Sequence, residues 1–220
     1  MSKFDLVIFD CDGVLVDSEA LSTKVWVQFL ADHGLPYGTE DIAAHAGLTD
    51  RALRNLISEE TGYELPDDTP QQIEERATSL FDNELNALPG VLDAVSRLTL
   101  PKCVCSNSGM ARLHRSLRTV GLFDHFGPDR IYHASLVGKP KPAPDLHLHA
   151  LERMGATAEH AVVIEDSVTG VTAARAAGIT VFGYTAASHL GEDQADKLRA
   201  AGASLVFNDM NELDRLLNVA

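Results

Sequence analysis

The sequence predicts an α/β fold: a parallel sheet covered by helices, with a block of further helices set in after the first strand. Three observations predict it. Leu6-Val7-Ile8-Phe9 is a short continuous apolar run, the pattern of a strand buried on both faces. From residue 90 onward, short apolar runs alternate with segments of helical period, which implies right-handed crossovers between parallel strands. Between the two, residues 18–85 carry helical spacing four times in a row with no strand.

The elements follow in order. The first strand, 6–9, ends in Asp10 and Asp12, two carboxylates two residues apart, and then in Gly13, which permits a tight backbone turn. In residues 18–34, Leu21, Val25, Trp26, Phe29 and Leu30 recur at helical spacing; Asp17 or Ser18 can cap the start and Gly34 can end it. A shorter helix is predicted over 39–46. Thr49 caps a third that runs to about residue 60, with Leu53, Leu56 and Ile57 on one face. Thr69-Pro70 opens a fourth, with Pro at the first helical position, continuing through Leu80, Phe81 and Leu85. From Pro89-Gly90 the alternation resumes. A helix over 91–98 leads to a strand over 102–105 that ends in Ser106-Asn107-Ser108-Gly109. A helix over 111–120, a strand over 131–133 and a helix over 144–154 come next. A strand over 161–164 ends in Glu165-Asp166-Ser167 and is followed by a helix over 169–177 closed by Gly178. Further strands are predicted over 180–182 and 204–207.

Composition narrows the function. The 220 residues carry a net charge of −14, which argues against nucleic acid as a partner, because phosphates require a basic face. With 45% hydrophobic and 23% charged residues and no apolar run long enough to span a bilayer, a soluble, cytoplasmic protein with no membrane partner is expected. Cys11, Cys103 and Cys105 are odd in number and on or beside predicted strands, which fits buried thiols in a reducing compartment. There is no GxGxxG, GxxxxGK or GxSxG frame, and the glycine of residues 10–17 falls too early for a calcium loop. His147 and His149 are two apart on a predicted helix, do not share a face, and read as surface or packing residues.

In open α/β sheets, ligands bind at the carboxyl ends of the strands. Here those ends carry Asp10 and Asp12, then Ser106 and Asn107, then Glu165 and Asp166. Between them lies the rigid loop Gly138-Lys139-Pro140-Lys141-Pro142-Ala143-Pro144-Asp145. Four carboxylates with oxygen ligands favour a hard cation, and Mg²⁺ helps to bind phosphate. Ser106 and Asn107 would open a helix, whose free N–H groups and dipole favour an anion, and a lysine adds a point charge. The combination describes a phosphoryl-transfer site.

Asp10-Cys11-Asp12-Gly13-Val14-Leu15-Val16-Asp17-Ser18, the Cys105-Ser106-Asn107-Ser108 turn, Lys141-Pro142-Ala143-Pro144-Asp145 and Val163-Ile164-Glu165-Asp166-Ser167-Val168-Thr169-Gly170 resemble, in order, the four motifs of the haloacid dehalogenase superfamily. The helical block resembles the small cap of the group that contains β-phosphoglucomutase and the sugar-phosphate phosphatases, with the 6-phosphogluconate phosphatases similar in texture. The resemblance implies a Rossmann-like core over 1–16 and 87–220 and a cap over 17–86. It implies Asp10 as nucleophile and metal ligand, and Asp12 as acid, then base, with its carbonyl on the metal. It implies Asp166 as the main further ligand and Glu165 as a second or outer one. Ser106, Asn107 and Lys141 would hold the phosphoryl oxygens, Lys141 being preferred to Lys139 because the Asp follows it at the family spacing. In the cap, His45-Ala46-Gly47-Leu48-Thr49-Asp50-Arg51 resembles the specificity loop, Asp50 falling where the mutase has an arginine, and Arg76 lies roughly where the mutase has a lysine. The alternative for Arg51, Arg54 and Arg76 is a solvated helix face. The implied activity is Mg²⁺-dependent hydrolysis of a small phosphorylated metabolite, a sugar or sugar-acid phosphate, through an aspartyl-phosphate. The alternatives are a phosphosugar mutase and an inactive binding module. A monomer is the expected state.

Overall fold

The structure is a computed structural model and describes residues 3–45, 48 and 50–219. The first strand, β1 (Leu6–Phe9), is buried along its whole length, as its unbroken apolar run requires. Four helices follow without a strand: α1 (Glu19–Asp32), α2 (Thr39–Ala43), α3 (Asp50–Thr61) and α4 (Thr69–Glu84). The chain then alternates through α5 (Val91–Arg97), β2 (Lys102–Ser106), α6 (Met110–Thr119), α7 (Phe123–Phe126), β3 (Ile131–His133), α8 (Asp145–Met154), β4 (Ala161–Glu165), α9 (Val168–Ala176), β5 (Thr180–Tyr184), α10 (Gln194–Ala201), β6 (Leu205–Phe207) and α11 (Leu213–Val219). None of the described helices is long and apolar enough to cross a membrane.

All six strands are parallel, in the order β3-β2-β1-β4-β5-β6. The chain leaves β1 for β2 on one side and later returns to lay β4 on the other. The order therefore reverses beside β1, and a crevice opens at its carboxyl end. Alternate residues Leu6 and Ile8 of β1, Cys103 and Cys105 of β2, and Ala161 and Val163 of β4 face one core, packed by Leu146 and Ala150 of α8 and by Val171 and Ala174 of α9. Fully burying a side chain such as Leu or Ile stabilises by about 1.5–3 kcal/mol, so this layer holds the strand ends in fixed register.

The chain divides into two compact units, Met1–Asp17 with Asn86–Ala220, and Ser18–Leu85. Within the second, the polar groups tie its own helices together. The Trp26 indole donates to Asp50 Oδ1 at 2.9 Å. Arg76 donates to Asp32 Oδ2 at 2.7 Å and lies over the Phe29 ring, joining α4 to α1. Arg54 donates to the carbonyls of Leu65 and Pro66 and pairs with Asp67. Three expectations change here. Helix α2 stops at Ala43, short of 46. Asp68, not Thr69, occupies the N-cap position of α4, without a side-chain capping hydrogen bond, and the Thr69 hydroxyl donates to the Pro66 carbonyl at 2.7 Å. Ser18 occupies the N-cap position of α1 but makes no capping hydrogen bond there.

His147, on α8, is fully buried, and neither ring nitrogen has a hydrogen-bond partner among the described residues. Burial, with the nearby Lys141 charge, pushes its pKa well below 6.5. An unsatisfied buried polar group costs about 1–3 kcal/mol. His147→Leu, close in volume, is therefore expected to raise the melting temperature at pH 7 by about 2–8 °C. The unfolded chain protonates this histidine before the folded one does, so its contribution to stability falls as pH drops below 6.5 toward the folded-state pKa. The gap between variant and parent should widen over that range. Thermal melts between pH 5 and 7.5 check it; a lower melting temperature for the variant at every pH would contradict it.

Candidate active site

Asp10 continues the line of β1, its N–H donating to the Ile164 carbonyl of β4 at 3.0 Å, so β1 and β4 deliver Asp10, Glu165 and Asp166 to one place. These three buried residues each bring a carboxylate oxygen within 4.8 Å of the others. The chain then folds tightly, with Leu15 and Val16 N–H groups on the Cys11 carbonyl and Gly13 at φ 82°. That glycine is required twice over. Its φ lies in the left-handed region, and a Cβ there would collide with the Asp166 carboxylate.

Lys141 is 6% exposed. Its Nζ donates to Asp10 Oδ1 at 2.7 Å and to Glu165 Oε2 at 2.8 Å. Glu165 Oε1 accepts from the N–H groups of Asp166 and Ser167 and from the Ser167 hydroxyl, so both Glu165 oxygens are engaged by the protein. Burial, then the Glu165 charge, pushes Asp10 up to about 8 against the pull of Lys141. Burial, Glu165 and Asp10 raise Asp166 well above the usual carboxylate range. Burial disfavours the Lys141 ammonium, but Asp10 and Glu165 outweigh it and hold Lys141 above the ordinary lysine value. Their crowding makes it costly for all three carboxylates to ionise together unless a cation joins Lys141, and the atoms this cluster brings together are carboxylate oxygens. This donor set fits a hard divalent cation.

The connection after β2 supplies the remaining polar groups. Ser106 is the last residue of β2 and is buried; its Oγ accepts from the Ser108 N–H at 3.0 Å. Contrary to the expectation that Ser106 and Asn107 open a helix, α6 begins at Met110 behind Gly109. The Asn107 amide is turned to the Lys141 backbone: Nδ2 donates to the Lys141 carbonyl and Oδ1 accepts from its N–H, each at 3.0 Å. Asn107 thus fastens the lysine loop to the end of β2. Lys139 is exposed, and the Lys141-Pro142 bond is cis. The Asp12 carboxylate accepts from Ser108 Oγ at 2.7 Å and from Ser106 Oγ at 3.4 Å, and Arg112 Nη2 lies 3.7 Å from its other oxygen.

Of the residues named for the cap, His45 is half-buried just after α2, Arg51 is exposed in the first turn of α3, and Arg76 is bound to Asp32 within the helical unit. Gly47 and Thr49 lie outside the described residues. The sequence reading missed Ser108, Arg112, Gln194 and His189. Gln194 Nε2 donates to the Asp166 carbonyl, and His189 Nε2 lies 3.8 Å from Asp166 Oδ2. Burial lowers the His189 pKa against the charges of Asp17 and Asp12. For His189 and Gln194 the available signal was the loop after β5, the strand next to β4.

Comparison with known proteins agrees with this geometry. A haloacid dehalogenase-like hydrolase domain is matched over residues 4–178. The 6-phosphogluconate phosphatase of Escherichia coli (strain K12) is 30% identical over 191 residues, 86% of this chain and 86% of that protein. A phosphorylated carbohydrates phosphatase of Thermotoga maritima is 30% identical over 210 residues, 92% of this chain and 94% of that one. The crystal structure of a haloacid dehalogenase-like protein from Agrobacterium tumefaciens superimposes with a TM-score of 0.87 at 39% identity, covering 97% of each chain. With three strand-end motifs and the Lys141 loop around one buried acidic cluster, this chain belongs to the haloacid dehalogenase-like hydrolases, on their phosphatase branch.

Proposed function

We propose that the protein is a Mg²⁺-dependent phosphatase of a phosphorylated sugar or sugar acid, working through an aspartyl-phosphate on Asp10. The observation that carries the reading is the buried Asp10–Lys141–Glu165 array beside Asp166. Asp10 and Asp166 would hold the ion, with the Asp12 carbonyl; Glu165, whose oxygens are engaged, holds Lys141. When bound, the ion supplies positive charge that keeps Asp10 ionised and offsets charge on the phosphoryl group.

Lys141, Ser106 and the N–H groups after β2 position the phosphoryl oxygens, the Asn107 side chain being occupied with the lysine loop. An Asp10 oxygen attacks phosphorus, the bond to the leaving oxygen breaks, and Asp12 gives that oxygen a proton. Water then attacks the aspartyl-phosphate while Asp12 takes its proton. The Asp10–phosphorus bond breaks, and inorganic phosphate and the Asp10 carboxylate result.

The substrate class rests on the two phosphatase relatives, which are named for phosphorylated carbohydrates. The mutase reading is weaker for a specific reason. Asp50 stands where the mutase has an arginine, and its carboxylate here is bound to the Trp26 indole. A screen of phosphorylated metabolites, scored by released phosphate, tests the class; turnover confined to phosphates that carry no sugar or sugar acid would refute it.

The ion has its own test. Chelation is expected to reduce turnover by about 10²-fold or more, Mg²⁺ to restore it, and Ca²⁺ to restore little, because its looser coordination misplaces the nucleophile. The melting temperature should also rise with Mg²⁺ concentration, since a ligand of the folded state stabilises it. Full activity in metal-free buffer with no thermal shift would contradict the assignment.

A further inference from the structure

The Asp12 carboxylate has a partner on each oxygen. Ser108 Oγ donates to Oδ2 at 2.7 Å, and the Arg112 guanidinium lies 3.7 Å from Oδ1. Ser108 is itself fixed, because its N–H is bound to Ser106 Oγ at the end of β2. Arg112 is the third residue of α6 and only partly exposed. From these contacts we infer that Ser108 and Arg112 form a clamp that positions Asp12 for proton transfer. This rests on the phosphatase reading and adds roles for two residues, Ser108 at the end of the second motif and Arg112 beyond it.

The reason is geometric. A general acid must present one oxygen to the leaving group within hydrogen-bond reach, and a carboxylate free to rotate about Cβ–Cγ rarely does so. The Ser108 hydrogen bond on one oxygen and the Arg112 charge beside the other restrict that rotation. Every clamp residue lies in the same compact unit as Asp10, so Asp12 is held whatever the helical insert engages. One connection, residues 106–112, thereby places the phosphate-facing serine, fastens the Lys141 loop through Asn107 and orients the acid.

The test compares phenyl phosphate, whose leaving group needs a proton, with p-nitrophenyl phosphate, whose leaving group needs little. Ser108→Ala and Arg112→Gln are expected to lower kcat/KM for phenyl phosphate by about 10–100-fold and for p-nitrophenyl phosphate by less than about 3-fold. Arg112→Lys should recover part of the loss, and inhibition by inorganic phosphate should stay unchanged. The ratio of the two esters is taken on one preparation, so loss of folded protein cancels. In an Asp12→Asn background neither substitution should cost anything more, because both act through that carboxylate. Equal losses on both esters, weakened phosphate inhibition, a gain on phenyl phosphate or undiminished losses in the Asp12→Asn background would each overturn the clamp alone. Absence of Mg²⁺-dependent turnover of both esters by the unaltered protein would overturn the phosphatase reading and the clamp with it.

Discussion

Asp10→Asn is expected to lower turnover by about 10⁴-fold or more, because an amide cannot attack phosphorus and nothing else at the site replaces it. The fold should survive. The asparagine oxygen still accepts from Lys141 Nζ, and removing one of three crowded carboxylates relieves repulsion. The variant should therefore melt within a few degrees of the parent and still bind inorganic phosphate in the presence of Mg²⁺. Calorimetry and phosphate-release assays on the same preparation check both halves. Normal turnover by Asp10→Asn would refute the covalent route.

Lys141→Ala is expected to lose about 10²–10⁴-fold in kcat/KM, the scale of removing a preorganised charge from a dry site. It should also destabilise the protein by about 3–5 kcal/mol without metal, because Asp10 and Glu165 are then buried without their cation. Added Mg²⁺ should recover part of that stability by neutralising the same carboxylates. Lys139→Ala, at an exposed position of the same loop, should change kcat/KM by less than about twofold. The opposite ranking of the two lysines would move the phosphate-binding role to Lys139.

The core topology was legible because its cues are local. An unbroken apolar run such as Leu6 to Phe9 reports burial on both faces, and four successive helical periods report an insert. The strand-end rule selected Asp10, Glu165, Asp166 and Ser106 without any knowledge of the sheet order, since parallel strands bring their carboxyl ends to one edge. What escaped depends on partners distant in the chain. Asn107 and Lys141 are separated by 34 residues, and nothing in either segment reports that the amide binds the lysine's backbone. Arg112 reads as an ordinary helix-surface residue until Asp12 is placed beside it. Thr69 followed by proline reads as a helix cap, yet its hydroxyl finds the Pro66 carbonyl instead. Of the two histidines on α8, His147 is buried and His149 lies half-buried against Tyr132, a difference that a two-residue spacing cannot rank.

The covalent intermediate can be observed directly. Asp12→Ala removes the base for the second half of the cycle, while p-nitrophenyl phosphate needs little acid in the first. Mixing the two with Mg²⁺ should give a burst of p-nitrophenol close to one equivalent, followed by slow turnover. Mass spectrometry of the quenched protein should then find a phosphoryl adduct on the peptide that carries Asp10, and none in the Asp10→Asn, Asp12→Ala double variant. A burst with no adduct on that peptide, or an adduct that persists in the double variant, would contradict the assignment of Asp10 as the nucleophile.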